Sequence, residues 1–240
     1  MPPQRSQHCQ IAGGRSWAAA DRHPDVKHPV QPGNIHRMED PTARTTATYD
    51  RIARVFASRS ENLDSAFRAF RARFAAALPA GGRVADLGCG PGRDAAWFRE
   101  QGLSPVGVDR SAAMAALAAD RGVHVALGDL RRPPLAPGSL AGLWSVAALL
   151  HVPAAETVPT LRAWHAALRP GGVLGLSTST GDGEAWEPVP HDEGLLRWFV
   201  HRKPRTLLAV LADIGFEVRE HAETATHRTW LSVLAIRREV

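Results

Sequence analysis

Between Arg83 and Thr178 short β-type runs alternate with helical ones, and this alternation restricts the chain to very few architectures. The expected strands are residues 83–87, 105–109, 123–127, 140–146 and 173–178. The expected helices between them are residues 95–102, 111–120 and 153–168. A Pro-rich loop covers residues 131–139. Strands and helices in strict succession build βαβ units on a mainly parallel sheet with helices on both faces. Such doubly wound sheets take ligands at the carboxyl ends of their strands, where the strand order reverses.

The flanks read differently. Two amphipathic helical patterns precede the alternation. One is carried by Tyr49, Ile52, Ala53 and Phe56, the other by Leu63, Phe67, Phe70 and Phe74, ending at Leu78-Pro79. After Thr180 a Gly/Pro/acid/Trp stretch, residues 181–204, lacks either period and reads as irregular. A helix (205–214) and two strands (216–221 and 229–237) follow. Residues 1–41 hold six prolines, four of the eleven histidines and no period, the mark of a disordered extension, with Met38 as an alternative start. The domain is therefore expected over residues 42–240.

Composition removes several classes. Hydrophobic residues are 44% and charged residues 22% of 240, which is globular. No apolar run approaches the ~20 residues of a membrane span, and the first ten residues lack an apolar signal core. Cys9 and Cys89 are the two cysteines, too few for a disulfide framework or a zinc site, and they fit a reducing cytoplasm. No metal site is expected. Lys27 and Lys203 are the only lysines among 29 basic residues, so the formal charge of +5 reflects an arginine bias more than a nucleic-acid surface.

The chemistry sits at three strand ends. The first strand runs Val84-Ala85-Asp86-Leu87 into Gly88-Cys89-Gly90-Pro91-Gly92. Glycines there let a ligand approach the backbone without a Cβ in the way. A dinucleotide fingerprint wants a third glycine where Arg93 stands, and Asp86 would repel a pyrophosphate. The turn suits a zwitterionic amino-acid tail, with Asp86 placed to receive a cation. Asp109 ends the second strand, where a carboxylate can take a ribose diol. Asp129, in Gly128-Asp129-Leu130, ends the third, where it and the next N–H can read an adenine edge. Each acid singly could be a helix N-cap. Three at one sheet edge are hard to place in a core, because unpaired buried carboxylates are costly.

Asp86, the Gly88-Cys89-Gly90-Pro91-Gly92 turn, Asp109, Gly128-Asp129 and Leu168-Arg169-Pro170-Gly171-Gly172, in that order, resemble the class I S-adenosylmethionine-dependent methyltransferases of small-molecule type. The resemblance spans about residues 45–237. It implies a seven-stranded, mainly parallel, Rossmann-like sheet whose last strand is antiparallel. It implies S-adenosylmethionine as cofactor and S-adenosylhomocysteine as product. Gly88, Cys89, Gly90 and Gly92 would pack on the methionine moiety with Asp86 beneath it, and Asp109 would hold the ribose with Arg110 beside it. Gly128, Asp129 and Leu130 would flank the adenine. Ser145 would offer its carbonyl to the methionine ammonium, and Tyr49 would lie near the methionine carboxylate. One departure is Ala141, where the family commonly has an acid.

His151, beyond the fourth strand, is the candidate general base, or else a packed histidine that fixes its loop. Residues 42–78 and 181–204 would cover the pocket. Trp186, His191, Arg197 and Trp198 would contact substrate, and Phe199 would add a flat wall. The acids of that second segment outnumber its basic residues, which points to an amine acceptor. Amino-adenine enzymes need an Asn/Asp-Pro-Pro-aromatic loop where this chain has Ser145-Val146-Ala147-Ala148, and no cysteine is available for cytosine chemistry. A nucleic-acid partner is therefore disfavoured. The expected reaction is methyl transfer to O or N of a small molecule. The alternatives are an RNA or protein methyltransferase, and a cofactor-binding module without transfer activity.

Overall fold

The computed structural model describes residues 40–190 and 192–239. Residues 1–39, with Cys9 and Met38, lie outside it, as do His191 and Val240.

Helix α1 (Pro41–Ser60) starts where local chemistry dictates. Asp40 Oδ1 accepts from the Thr42 N–H at 3.0 Å, and proline occupies the first turn, where no N–H is needed. Helix α2 (Ser65–Ala76) is capped by Asp64, which accepts from Phe67 N–H at 2.7 Å. Then follow β1 (Arg83–Leu87), α3 (Arg93–Glu100), β2 (Ser104–Asp109), α4 (Ala112–Asp120), β3 (Val125–Leu127) and β4 (Leu140–Val146). Two 3-10 turns, Leu149–His151 and Ala154–Glu156, lead into α5 (Thr157–Ala167) and β5 (Leu168–Ser179). The chain ends with β6 (Gly183–Val189), β7 (Asp192–His201), α6 (Pro204–Ile214), β8 (Phe216–Ala225) and β9 (Thr229–Arg237).

Seven strands form one sheet in the order β3-β2-β1-β4-β5-β9-β8. β1 to β5 run parallel, and β9 is antiparallel to both of its neighbours. The order reverses at β1, between β2 and β4, so the crevice opens over the carboxyl ends of those strands. One face of the sheet buries Leu87, Leu143, Trp164, Leu174, Leu211 and Phe216. The other buries an aromatic cluster in which Phe70 and Phe74 lie 4.9 and 4.8 Å from the Trp144 ring. That cluster fastens α2 across the sheet and fixes one wall of the crevice.

Residues 181–204 are not irregular. β6 and β7 form an antiparallel hairpin in which Trp186 opposes Trp198, Glu187 opposes Arg197 and Ala185 opposes Phe199. Gly183, Pro188 and Pro190 hide the alternation, because glycine and proline weaken strand patterns without forbidding an edge ribbon. The hairpin is stitched to α1 through its backbone. Thr45 Oγ1 accepts from the Trp198 N–H at 2.9 Å, and Thr48 donates its hydroxyl to the Leu196 carbonyl at 2.7 Å. β5 also begins before Val173: Leu168 pairs with Leu140, and the Arg169–Gly172 turn interrupts the ladder before it resumes.

Candidate functional site

A cavity of about 790 Å³ sits over the switch point. Its floor is the β1 turn. Gly88 has φ +71°, and a Cβ there would stand 2.4 Å from Ala148 Cβ, so the turn and the segment after β4 close only around glycine. Gly90 (φ +53°) donates its N–H to Asp109 Oδ2 at 2.8 Å, and Ser111 N–H reaches Asp109 Oδ1 at 2.9 Å. Asp86, Asp109 and Asp129 all line the cavity, because parallel strands in register bring their carboxyl ends to one edge. Asp129 is held by Arg131 (2.6 Å) and Arg110 (3.3 Å), and both arginines also reach Asp40, the cap of α1.

The far end is built by α1, the hairpin and the β8–β9 turn. Tyr49 donates its hydroxyl to His151 Nε2 at 2.9 Å, and His151 Nδ1–H donates to the Trp198 carbonyl at 2.6 Å. A carbonyl can only accept, so this pair of contacts fixes the neutral Nδ1–H tautomer. Arg197 Nη1 lies 3.4 Å from the Tyr49 oxygen. Phe199, His227, Arg228 and Trp230 complete the wall.

Residues 84–172, which contain the β1 turn and all three strand-end acids, match a family described as a methyltransferase domain. Residues 84–172 thus carry a methyltransferase domain, and the sheet around them has the class I methyltransferase fold. The chain is 33% identical over 109 residues to the methyltransferase GfsG of Streptomyces halstedii, covering 42% of this chain and 38% of that one. It is 32% identical over 160 residues to trans-aconitate 2-methyltransferase of Mycobacterium sp. (strain KMS), covering 60% and 62%. The matched stretches thus span less than two thirds of either relative. Among solved structures, the 1,6-didemethyltoxoflavin-N1-methyltransferase of Burkholderia thailandensis has a TM-score of 0.68 at 21% identity, covering 91% of this chain and 99% of that one. That structure holds 1,6-didemethyltoxoflavin and S-adenosylhomocysteine.

Most of the methyltransferase domain's expected cofactor residues border the one cavity: Tyr49, Asp86, Gly88, Cys89, Gly90, Asp109, Arg110, Gly128, Asp129 and Leu130. Two do not. A Cβ on Gly92 would sit 2.7 Å from Ala118 Cβ, so this glycine lets α3 pack against α4. Ser145 is buried within the sheet, its hydroxyl on the Leu87 carbonyl at 3.3 Å. β4 runs one residue further, and Val146, Ala147 and Ala148 border the cavity instead. Ala147 adopts φ 52°, a left-handed conformation that a non-glycine residue holds only under constraint from its surroundings.

The hairpin corrects the expected substrate residues by one step of phase. Side chains alternate across a strand, so Arg197 and Phe199 face the cavity while Trp186 and Trp198 do not line it. The two tryptophans pack edge to face, their ring centres 5.2 Å apart, and Arg44 covers Trp186. None of the segment's acids, Asp182, Glu184, Glu187, Asp192 and Glu193, lines the cavity. Glu184 accepts from the Ala154 N–H and from Trp198 Nε1, Glu187 binds His201 and Arg228, and Asp182 binds Lys203. Arg228 and His227 went unnoticed in the sequence. No local pattern marks them, because they reach the cavity only through the β8–β9 turn.

Electrostatics separate the acids. Burial raises the Asp86 carboxyl well above the ordinary range, with the neighbouring Asp94 adding to it. Asp109 is raised by burial against the two N–H groups it accepts. Burial also acts on Asp129, but Arg131 outweighs it and holds that carboxyl low. Burial lowers His151 to about 3. Its ring nevertheless carries two hydrogen bonds, so His151→Ala should leave the Tyr49 hydroxyl without its acceptor and the Trp198 carbonyl without this donor. We expect a loss of about 2–4 kcal/mol of stability, measured by denaturant titration. A loss under ~0.5 kcal/mol would show that neither bond matters to the fold.

Proposed function

We propose that the chain transfers a methyl group from S-adenosylmethionine to an oxygen or nitrogen of a small molecule and releases S-adenosylhomocysteine. The observation that carries this reading is the bordering of one cavity by a glycine turn and three strand-end carboxylates. Asp109 would take the ribose hydroxyls, with Arg110 beside it. Gly128, Asp129 and Leu130 would flank the adenine. Gly88, Cys89 and Gly90 would admit the methionine tail over Asp86, with Tyr49 at its end. The donor set suits a cation, because the Asp86 carboxylate has no salt-bridge partner among the described residues. The cofactor supplies a methyl group on an already electrophilic sulfonium, which leaves the chain to position the acceptor and exclude water.

What supports a small acceptor is the names of two relatives, which cite trans-aconitate and malonyl-[acyl-carrier protein]. Among the described residues no helix is long and apolar enough to cross a membrane. Cys89 is buried and has no disulfide partner among the described residues, and the reducing cytoplasm is the compartment we propose. The direct test is incubation with radioactive S-adenosylmethionine and separate small-molecule, RNA and protein fractions. Label in the small-molecule fraction supports the reading. Label confined to RNA or protein refutes the acceptor class, and no product with any fraction leaves a binding module.

Asp86 gives this reading a pH signature. Its raised carboxyl keeps a proton in the empty site at a pH where a free aspartate has lost it. A cationic ligand favours the ionised form, so cofactor binding should expel that proton. Affinity should rise with pH through the raised value, by at most about tenfold per unit. For the empty protein the sign reverses, and the contribution of Asp86 to stability is lost as pH rises through the same range. Calorimetry in buffers of different ionisation enthalpy reads the proton directly. Binding without proton release, and Asp86→Asn with unchanged pH dependence, would separate Asp86 from the cation.

His151 we assign to positioning. A base works best with a pKa near the working pH, and this one is pushed to about 3 with its Nε2 lone pair already on Tyr49. Turnover should run flat from about pH 5.5 to 8, with no inflection near the ~6.5 of a free histidine. His151→Ala should cost less than the ~10²–10⁴-fold that removing a general base entails. An inflection near neutrality that vanishes in the variant would restore the base.

A further inference from the structure

We propose that the acceptor end of this cavity binds a carboxylate, with the Arg197 guanidinium as its counter-ion; the proposal rests on reading the cavity as a methyl-transfer site. Six arginines border the cavity, and their partners differ. Arg73 pairs with Glu220, Arg93 with Asp94, Arg110 and Arg131 with Asp40 and Asp129, and Arg228 with Glu187. Arg197 has no carboxylate partner among the described residues, although it is 8% exposed. A buried charge without a counter-ion is costly, so an anion that pairs with it is favoured; Arg202, equally buried, is instead satisfied by the Val152 and Val200 carbonyls and Thr157.

The obvious internal partner is already engaged. Glu187 stands opposite Arg197 in the hairpin register, but its two oxygens bind His201 Nε2 at 2.6 Å and Arg228 Nη2 at 3.0 Å. What Arg197 has is weak. Its Nη1 reaches the Tyr49 oxygen at 3.4 Å, its Nη2 the Pro188 carbonyl at 3.5 Å, and its buried Nε has no partner. The faces of the guanidinium are occupied, with the Phe199 and Tyr49 rings 5.1 and 5.8 Å away. Its edge carries only those two long contacts, and a guanidinium edge matches a carboxylate in a two-pronged hydrogen bond. Arg197 and Arg228 against Glu187 leave one net positive charge at this end, which suits a carboxylate and falls short of a phosphate dianion.

The cavity is thus polarised along its length. Asp86 and Asp109 lie at the glycine turn, where a cationic cofactor would rest. Arg197 lies among Pro188, Phe199 and Arg228, which belong to the hairpin and the β8–β9 turn, outside the βαβ half. Tyr49, which touches Arg197, stands between the two ends, and an acceptor that brings a negative charge is drawn to the arginine side of it.

The test is calorimetry on the full chain saturated with S-adenosylhomocysteine. Benzoate, phenylacetate, trans-cinnamate and succinate are titrated, each against its own carboxamide. We expect at least one acid to bind tenfold or more tighter than its amide. Arg197→Gln should abolish that preference, and Arg197→Lys should restore part of it, with S-adenosylhomocysteine affinity within threefold in all three proteins. Acids binding no tighter than amides, or a preference surviving in Arg197→Gln, would overturn the carboxylate site. A tenfold drop in S-adenosylhomocysteine affinity in Arg197→Gln would overturn it too, by showing that Arg197 holds the cofactor's own carboxylate. If Arg197→Gln shows no cooperative melt, the acid–amide comparison on the unmodified chain and on Arg197→Lys decides. A chain that binds no S-adenosylhomocysteine fails the methyl-transfer reading instead, and the same titration on the empty protein then judges the anion site alone.

Discussion

Asp94→Ala should be the most destabilising single substitution in the cofactor half, costing about 3–5 kcal/mol. The Asp94 carboxylate is buried beneath the β1 turn. It accepts from Arg71 Nη1 at 2.8 Å, from Arg93 Nη2 at 2.9 Å and from Trp144 Nε1 at 3.1 Å. Removing it leaves two guanidinium groups packed in the interior with no counter-charge. The melting temperature should fall by roughly 6–20 °C for a chain of this size. The pH dependence has a definite sign. Burial would raise the Asp94 carboxyl, but Arg93 and Arg71 outweigh it and hold it low. Its stabilisation is therefore present above the ordinary ~3.8 and lost as pH falls through the depressed value. Wild type and variant should differ most near pH 7 and converge as pH falls below the depressed value. Asp94→Asn, which keeps an acceptor for Trp144, should fall between them. Thermal melts of the Asp94→Ala variant within 2 °C of wild type at pH 7 would show that the two arginines find other partners.

Asp109→Ala should weaken S-adenosylmethionine binding by about 2–4 kcal/mol, or roughly 30- to 1000-fold in Kd. The carboxylate is set at the end of β2, and its two oxygens hold Gly90 and Ser111 by their N–H groups. The substitution removes the proposed ribose acceptor and also frees the glycine turn proposed to admit the methionine tail. Asp109→Asn keeps a neutral acceptor and should recover part of the loss. Calorimetry with S-adenosylhomocysteine reads both variants, and unchanged affinity in Asp109→Ala would take this residue out of the cofactor site. The two substitutions separate cleanly, since the first acts on folding and the second on a ligand contact.

The cofactor end was legible because parallel strands leave little freedom. Once the alternation fixes β1, β2 and β3, the residues after them must share one edge, and Asp86, Asp109 and Asp129 do so wherever the loops run. The acceptor end depends on single-residue phase and on contacts far apart in sequence. Reading Trp186 and Trp198 as the walls placed the right segment over the cavity but the wrong face toward it. Ser145 is displaced from the cavity lining by the same kind of step, since β4 runs one residue further and Val146 and Ala147 border the cavity. Thr45 and Thr48 gave no signal at all. Threonines on a helix suggest nothing until the hairpin backbone they grip is in place.

That grip has a consequence for how such a chain can change over generations. Thr45 and Thr48 hold the Trp198 N–H and the Leu196 carbonyl, which every residue type except proline supplies alike. The attachment is therefore indifferent to the side chains at 197 and 199, the two that face the cavity where we propose the acceptor binds. Acceptor preference can drift by replacing Arg197 or Phe199 while the hairpin stays moored to α1. An engineer can randomise those two positions, with Arg228, as an interchangeable cartridge on a fixed frame.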